Sequence, residues 1–487
     1  MIAKIIVDNK SKQVDKPFDY LVPKELEGKI KIGSRVLVPF SSGNREIEGF
    51  CVGTADTSDS KRLKSIIRTA NDSIGFDEDM LELIEWMHKK YLASYLDIIH
   101  TIVPSGTALK TKEWIILENK SEEKSEIRRR ITEILTDNGG SMEFKGLKEM
   151  CGVDIQNQVR AMIKEGTLKK EYRQSVDIKD KKIKCVKLIC DRETALESAE
   201  ILRRKAPVQA KMLEVLSENE YVSLADLQKF TNGSHSTVKA LEKKNLVNVF
   251  DMTVERDPYW NRVFEKTEKM VPTPEQEYAI DEITNSVKSG DGGIYLLHGV
   301  TGSGKTEVFM QTIENVINMG KSAIMLVPEI SLTPQMVSRF MSRFGGRVAI
   351  FHSGLSAGER YDQWKKIRDG EADIVIGARS AIFTPLKNIG VIIMDEEHSD
   401  TYKSDMSPRY HARETAIFRA SQFGVAVVLA SATPSVESYY KAQTGEYKLL
   451  EMNTRYNKNK MPEISVIDMR SELEKGNKRM LSGKLYN

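Results

Sequence analysis

Three residues have the types and settings needed to work on a phosphate ester: Lys305, Asp395 and Glu396. Lys305 sits in Gly299-Val300-Thr301-Gly302-Ser303-Gly304-Lys305-Thr306, whose spacing Gly-x4-Gly-Lys-Thr is that of a Walker A loop. Gly299, Gly302 and Gly304 let the backbone curl so that its N–H groups, with those of Thr301 and Ser303, face phosphate oxygens. Lys305 can reach the β- and γ-phosphates, and the Thr306 hydroxyl can ligate Mg²⁺. Asp395 and Glu396 open the acidic run Asp395-Glu396-Glu397-His398, directly after the apolar residues Val391-Ile392-Ile393-Met394. A carboxylate at the end of a sheet strand holds Mg²⁺ or its water shell, the role expected of Asp395. Glu396 is placed to polarise an attacking water as general base. Ser431-Ala432-Thr433 offers two small hydroxyls that can link the acid to a moving element. Gln276, in Thr273-Pro274-Glu275-Gln276, carries donor and acceptor on one amide and suits an adenine edge. ATP and Mg²⁺ are the expected ligands.

These residues need a frame that brings them together. Apolar runs at 294–297, 323–327, 348–351, 374–376, 391–394 and 425–429 alternate with segments of helical spacing. Strands alternating with helices predict a mostly parallel sheet covered on both faces, over residues 270–470. The glycine loop then lies at the carboxyl end of the first strand, where such sheets bind ligands. The helix expected over 307–319 adds its positive dipole end.

Residues 1–108 read as a small β-rich domain with a helical tail. Strand-like runs fall at 3–7, 18–22, 34–40 and 47–53, and helical spacing covers 80–95, with its aromatic rings expected in the core. Residues 120–257 hold a weak internal repeat, 126–175 and 206–254. Each copy reads as three short helices followed by a strand pair, the winged-helix pattern. The stretch 169–204 between them is charged and poor in strand signal, and is expected to be wing plus linker. The third helices carry Arg160 and Lys164, or Lys239, Lys243 and Lys244. Such units serve DNA contact and protein docking alike. The whole is a multidomain α/β chain: β-rich domain, winged-helix-like α+β middle, then a P-loop parallel-sheet lobe.

With 487 residues, a net charge of +3 and 29% charged residues, the chain is an ordinary globular protein, and any DNA surface must come from local clustering. Cys51, Cys151, Cys185 and Cys190 form no C-x2-C pair, so neither zinc nor a disulfide framework is expected. No run is apolar enough for a membrane span or signal peptide, so a cytoplasmic location without membrane contact is expected.

The order of these motifs is similar to that of superfamily 2 helicases. Their wording resembles the primosomal helicases of replication restart. The resemblance rests on Leu326-Val327-Pro328-Glu329-Ile330-Ser331-Leu332-Thr333-Pro334-Gln335, on Gly377-Ala378-Arg379-Ser380-Ala381-Ile382-Phe383, on Asp395–His398 followed by Tyr410-His411-Ala412-Arg413, and on Phe18-Asp19-Tyr20 near the start. It implies an ATP-dependent 3′→5′ DNA helicase that recognises stalled forks and initiates replicative helicase loading. Its partners would be forked DNA, single-strand/duplex junctions, 3′ ends, primosome proteins and single-strand-binding protein. The first domain resembles a 3′-end-binding module, its pocket positions falling on Phe18, Asp19 and Lys64, with Ser41 where the family has glycine. Residues 402–413 resemble an aromatic-rich loop that couples DNA binding to hydrolysis. Pro408 stands at its tryptophan position, leaving Tyr402, Tyr410 and His411 to stack, alongside Arg413. Thr333, Arg379 and Ser380 fall where the family lines its single-strand path.

The family also implies a second lobe with a zinc insertion. Only 54 residues follow Thr433 (487 − 433), so residues 471–487 are read as the start of that lobe, and this chain is expected to unwind little. A non-motor fork-DNA-binding protein is the alternative.

Overall fold

The computed structural model describes every residue except 10, 42–44, 61, 70–74, 104–108, 120–124, 177–180, 255, 257–266, 458–463 and 487. The first sheet contains β1 (Ile2–Val7), β2 (Phe18–Leu21), β3 (Arg35–Phe40), β4 (Arg45–Ala55), β5 (Lys64–Ser65) and β6 (Arg68–Thr69), in the order β5-β2-β1-β4-β3-β6. Side chains alternate across a strand, and β1 uses both faces. Ala3, Ile5 and Val7 enter a core with Tyr20, Val36, Val38 and Cys51. Ile6, with Phe50, faces the helices that follow. Helical spacing over 80–95 resolves into two helices, α1 (Glu78–Tyr91), capped by Asp77, and α2 (Tyr95–Ile102), capped by Ser94. Leu92 ends α1 in the left-handed region at φ 51°.

The middle of the chain is built twice on one plan. The first unit runs β7 (Leu109–Leu117), α3 (Glu126–Asp137), β8 (Ser141–Glu143), α4 (Phe144–Cys151), α5 (Gln156–Lys164) and β9 (Leu168–Val176). The second runs β10 (Lys181–Leu188), α6 (Arg192–Leu202), α7 (Pro207–Ser217), β11 (Val222–Ser223), α8 (Leu224–Thr231), α9 (His235–Lys243) and β12 (Val247–Val254). Their sheets are ordered β8-β7-β9 and β11-β10-β12, so the strand that opens each unit becomes its central strand. This corrects two expectations. The strand after the third helix pairs with the one that opens the unit, not with a following hairpin strand. The stretch 169–204 is not strand-poor: it contributes to β9, β10 and α6. In β10, Lys182, Lys184 and Lys187 face solvent while Cys185 and Val186 are buried, and so high a charge on the outer face hid the strand.

The last lobe is a seven-stranded parallel sheet of β13 (Gly293–Gly299), β14 (Ser322–Leu326), β15 (Val348–Phe351), β16 (Ile374–Gly377), β17 (Ile389–Met394), β18 (Ala426–Ser431) and β19 (Lys448–Met452), ordered β15-β16-β14-β17-β18-β13-β19. Around it lie α10 (Pro274–Ser289), α11 (Lys305–Asn318), α12 (Pro334–Phe344), α13 (Ala357–Arg368), α14 (Ala412–Ser421) and α15 (Val436–Gln443). Neighbouring strand residues feed separate cores: Leu297, Met325 and Ile393 enter one, Leu296, Ile324 and Ile392 the other. The second core is shared with the first domain. Its members include Met80, Leu83, Ile84 and Met87 of α1 and Leu96, Ile98, Ile99 and Ile102 of α2. Trp86 stacks on Phe418 with ring centroids 4.4 Å apart, and the Tyr91 hydroxyl donates to Glu414 at 2.8 Å. β19, for which the sequence offered no expectation, pairs with β13 beside the glycine loop.

Candidate nucleotide site and coupling network

β13 delivers the loop and α11 begins at Lys305. Gly302 and Gly304 take φ of +82° and +85°, the left-handed region that favours glycine. A Cβ on Gly304 would also lie 2.3 Å from Gln276 Nε2. The Lys305 ammonium donates to Gly299 O at 2.7 Å. Burial draws its pKa down, while the charges of Glu396 and Asp395 oppose that shift. Gln276 is buried, donates through Nε2 to Ser303 O at 2.7 Å, and accepts from Thr273 N at 2.9 Å. Its amide therefore supports the phosphate loop. The Ser303 Oγ is buried without a hydrogen-bond partner among the described residues.

Across the sheet, β17 ends at Met394 and presents Asp395, whose N–H donates to Leu326 O at 2.9 Å. Burial, and then the charge of Glu396, push the Asp395 carboxyl up to about 6; the Glu396 N–H, which donates to its Oδ1 at 3.0 Å, acts the other way. Glu396 stands at φ +45°, a conformation rare outside glycine. One cavity of about 790 Å³ is lined by Gln276, residues 301–306, Asp395 and Glu396. The Gly299 carbonyl holds Lys305. The same cavity is lined by Met270, Arg339, Arg343 and Tyr456, which the sequence did not single out. Arg343 is fixed there by Glu314 at 2.9 Å and by Glu268 O at 2.9 Å. Only the tertiary fold brings these four to the loop.

Among the described residues no group of three or more His, Cys, Asp or Glu could hold a metal ion. Mg²⁺ does not need one. It binds through one or two protein oxygens together with substrate phosphates and water. Thr306 and Asp395 supply hard oxygens of that kind to one cavity, and they fit Mg²⁺ arriving with a nucleotide.

The next residues of the acidic run turn away from the cavity. The Glu397 side chain is fully buried and accepts from Ser435 N at 2.6 Å, Arg413 at 2.8 Å, Ser438 Oγ at 2.9 Å and Ser435 Oγ at 3.1 Å. His398 Nδ1 lies 2.8 Å from Ser431 Oγ and 3.5 Å from Glu396, and Thr433 N donates to Ser431 Oγ at 2.9 Å. The Tyr402 hydroxyl is shared between Asp395 O at 2.6 Å and Leu326 O at 3.1 Å.

Stacking of Tyr402 and Tyr410 on bases is corrected here. Tyr402 is 0% exposed, and Tyr410, 3% exposed, meets Phe383 edge-on at 4.8 Å. Both rings are core, and burial raises both phenol pKa values. His411 caps α14 through Arg413 N at 3.2 Å; burial, then Arg413, lower its pKa. Arg379 donates to Thr401 O at 3.2 Å and Lys403 O at 2.6 Å, gripping both neighbours of Tyr402. Ser380 follows in the same short helical turn, Arg379–Phe383, and Thr333 caps α12. Both follow carboxyl ends of sheet strands, on the side where the glycine loop lies.

In the first domain Phe18 packs edge-on against Phe40 at 5.6 Å, and the Lys64 ammonium donates to Ser41 O at 2.6 Å. Asp19, the next residue of β2, instead accepts from Ser58 Oγ at 2.5 Å. Ser41 takes φ +62°, the left-handed conformation in which glycine is at ease.

A parallel sheet with a Walker A loop facing an acidic strand end defines a P-loop helicase lobe. Residues 273–442 match the DEAD/DEAH box helicase family, and residues 4–104 match the 3′DNA-binding domain (3′BD) of PriA. Over 99% of its length the chain is 40% identical to "Replication restart protein PriA" of Bacillus subtilis (strain 168), covering 59% of that protein. It is 32% identical to the protein of the same name from Synechocystis, over 99% of this chain and 58% of that one. The chain thus resembles these PriA proteins along nearly all of its own length and spans less than three fifths of theirs. Among solved structures, RecG bound to a three-way DNA junction is 27% identical over 40% of this chain and 24% of that chain, at a TM-score of 0.30. A DEAD box protein from Methanococcus jannaschii is 26% identical over 37% of this chain and 50% of that chain, at 0.29. No described helix is long and apolar enough to cross a membrane.

Proposed function

We propose that the lobe binds Mg-ATP and that the protein is an ATP-driven 3′→5′ DNA helicase of the replication-restart primosome, acting at stalled forks and initiating helicase loading. The observation that carries this reading is the single cavity that joins Lys305 and Thr306 to Asp395 and Glu396. In this reading the loop N–H groups and Lys305 hold the β- and γ-phosphates. Thr306 and Asp395 would hold Mg²⁺, whose charge, when bound, would offset negative charge building on the phosphates. Glu396 takes a proton from water as its oxygen bonds the γ-phosphorus and the bond to the ADP oxygen breaks. His398 and Ser431 hold Glu396 in register with Thr433, and Tyr402, Tyr410, His411 and Arg413 transmit loop movement to Asp395. Thr333, Arg379 and Ser380 line the strand path, and Phe18, Asp19 and Lys64 take a 3′ end. The functional units are 1–108, 120–257, 270–470 and 471–487. Primosome proteins and single-strand-binding protein are the protein partners.

Lys305→Ala tests the reading. It is expected to abolish ATP binding and hydrolysis while fork binding persists, and ATP hydrolysis by that variant at the wild-type rate would refute it. Residues 1–487 alone are expected to bind ATP and forks but to unwind little, because hydrolysis in two-lobe motors draws on a facing-lobe arginine worth ~10³–10⁵ in rate by analogy with arginine fingers.

A further inference from the structure

The cavity has a phosphate end, formed by Gly304, Lys305, Thr306, Asp395 and Glu396. What would hold the base is a separate question, because the amide of Gln276 is already engaged by Thr273 N and Ser303 O.

The chain leaving β19 supplies an answer. Val300 N donates to Met452 O at 3.1 Å, and Tyr456 N donates to Gly302 O at 3.0 Å. Between these two ties, Thr454 donates from N and Oγ1 to the Glu275 carboxylate at 3.2 and 2.9 Å. Residues 452–456 are thus a strap fastened both to the phosphate loop and to the neighbour of Gln276. The Arg455 stem lies against the loop as well; a Cβ on Gly302 would meet its Cγ at 3.9 Å. The strap's last residue carries a ring and belongs to the cavity wall. Tyr456 lines it, is 41% exposed, and has no aromatic or cation partner among the described residues. The fold fixes its backbone while making no use of its ring. Met270 lines the same cavity, its main chain held by Glu307 at 3.3 Å and Gln311 at 2.8 Å. It offers a second polarisable surface suited to an aromatic ring.

We propose that Tyr456 is the platform on which the nucleotide base stacks. The proposal rests on the reading of the cavity as an ATP site. It assigns base affinity to a residue outside the glycine loop and outside the acidic run.

Calorimetric titration of residues 1–487 with ATP and with inorganic tripolyphosphate, both in Mg²⁺, separates base from phosphate contacts. Tyr456→Ala is expected to weaken ATP on the order of 10-fold and to leave tripolyphosphate unchanged. Tyr456→Phe is expected to bind both as the wild type does. Unchanged tripolyphosphate binding also reports that the loop of the Ala variant is folded. Equal loss of both ligands, or no loss of ATP, overturns the proposal: the strap would then support the loop, or the ring would be idle. Lys305→Ala should weaken both ligands. A wild-type chain that binds neither refutes the ATP reading itself, and the platform with it.

Discussion

The acidic run Asp395–His398 stands between two regions built on opposite rules. On the cavity side polar groups are buried and left wanting: Ser303 Oγ has no hydrogen-bond partner among the described residues, and burial pushes the Asp395 carboxyl up to about 6 and the Lys305 ammonium down. On the far side nearly every polar group is answered from within. Glu397 accepts four hydrogen bonds, the Tyr402 hydroxyl serves two carbonyls, and the buried Arg419 donates to Ile382 O, Thr384 O and Leu386 O. An unanswered buried group costs stability, so a fold keeps one where a ligand answers it. A completed network holds shape without a ligand. Substitutions on the two sides should therefore fail differently.

The largest effect is expected at Glu397. Glu397→Ala strips the half-buried Arg413 guanidinium of its carboxylate, leaving it only the Ser435 and Ser438 hydroxyls, and strips Ser435 N–H of its acceptor; loss of the buried partner of such a pair costs up to about 3–5 kcal/mol. Urea denaturation should show that loss, and saturating Mg-ATP should restore little of it; full restoration by nucleotide would erase the contrast between the two regions.

Next comes Asp395→Asn, with the opposite sign. Burial raises the Asp395 carboxyl from 3.8 to about 6. A raised carboxyl favours the fold below about pH 4, and that gain is lost as pH rises through 6. The metal-free variant is therefore expected to be more stable than wild type at pH 8, by up to ~3 kcal/mol, and no more stable at pH 4. It should bind Mg-ATP poorly. Denaturation curves at the two pH values that differ from wild type by the same amount would contradict the assignment.

Tyr402→Phe is smaller. It leaves the Asp395 carbonyl short of a donor, while Leu326 O keeps the Asp395 N–H, at about 1–2 kcal/mol. Nucleotide binding should survive, while stimulation of hydrolysis by single-stranded DNA should fall in the whole protein; undiminished stimulation would remove Tyr402 from the coupling path. Smallest is Ser41→Gly in the first domain. Relief of a left-handed serine is expected to add no more than ~1 kcal/mol, read as a slight rise in melting temperature. A clear fall would show that the serine hydroxyl matters more than its backbone.

Sequence reached the cavity side far better than the network side. Walker spacing is local, and an acidic run after four apolar residues announces a strand end, so Lys305, Thr306, Asp395 and Glu396 stood out without a fold. Glu397 did not, because its donors Arg413, Ser435 and Ser438 meet it only through tertiary packing. Tyr402 and Tyr410 lie among Lys403, Asp405 and Arg409, a setting that reads as exposed loop; both belong to the core that α1 and α2 enter from the first domain. Tyr456 was missed with β19, a five-residue edge strand in which only Leu450 and Met452 are buried. β10 was hidden by its lysines. In each case the missing signal was the neighbour, not the residue.

One consequence follows from the core in which Trp86 lies on Phe418 and α1 and α2 join the lobe sheet. The two ends of the described chain are welded, and the paired units between them form a side loop of the covalent path. The first domain and the lobe should therefore melt as one body, with or without the paired units. Whatever the first domain holds is thereby carried at a set distance from the lobe, as a handle is carried by its blade.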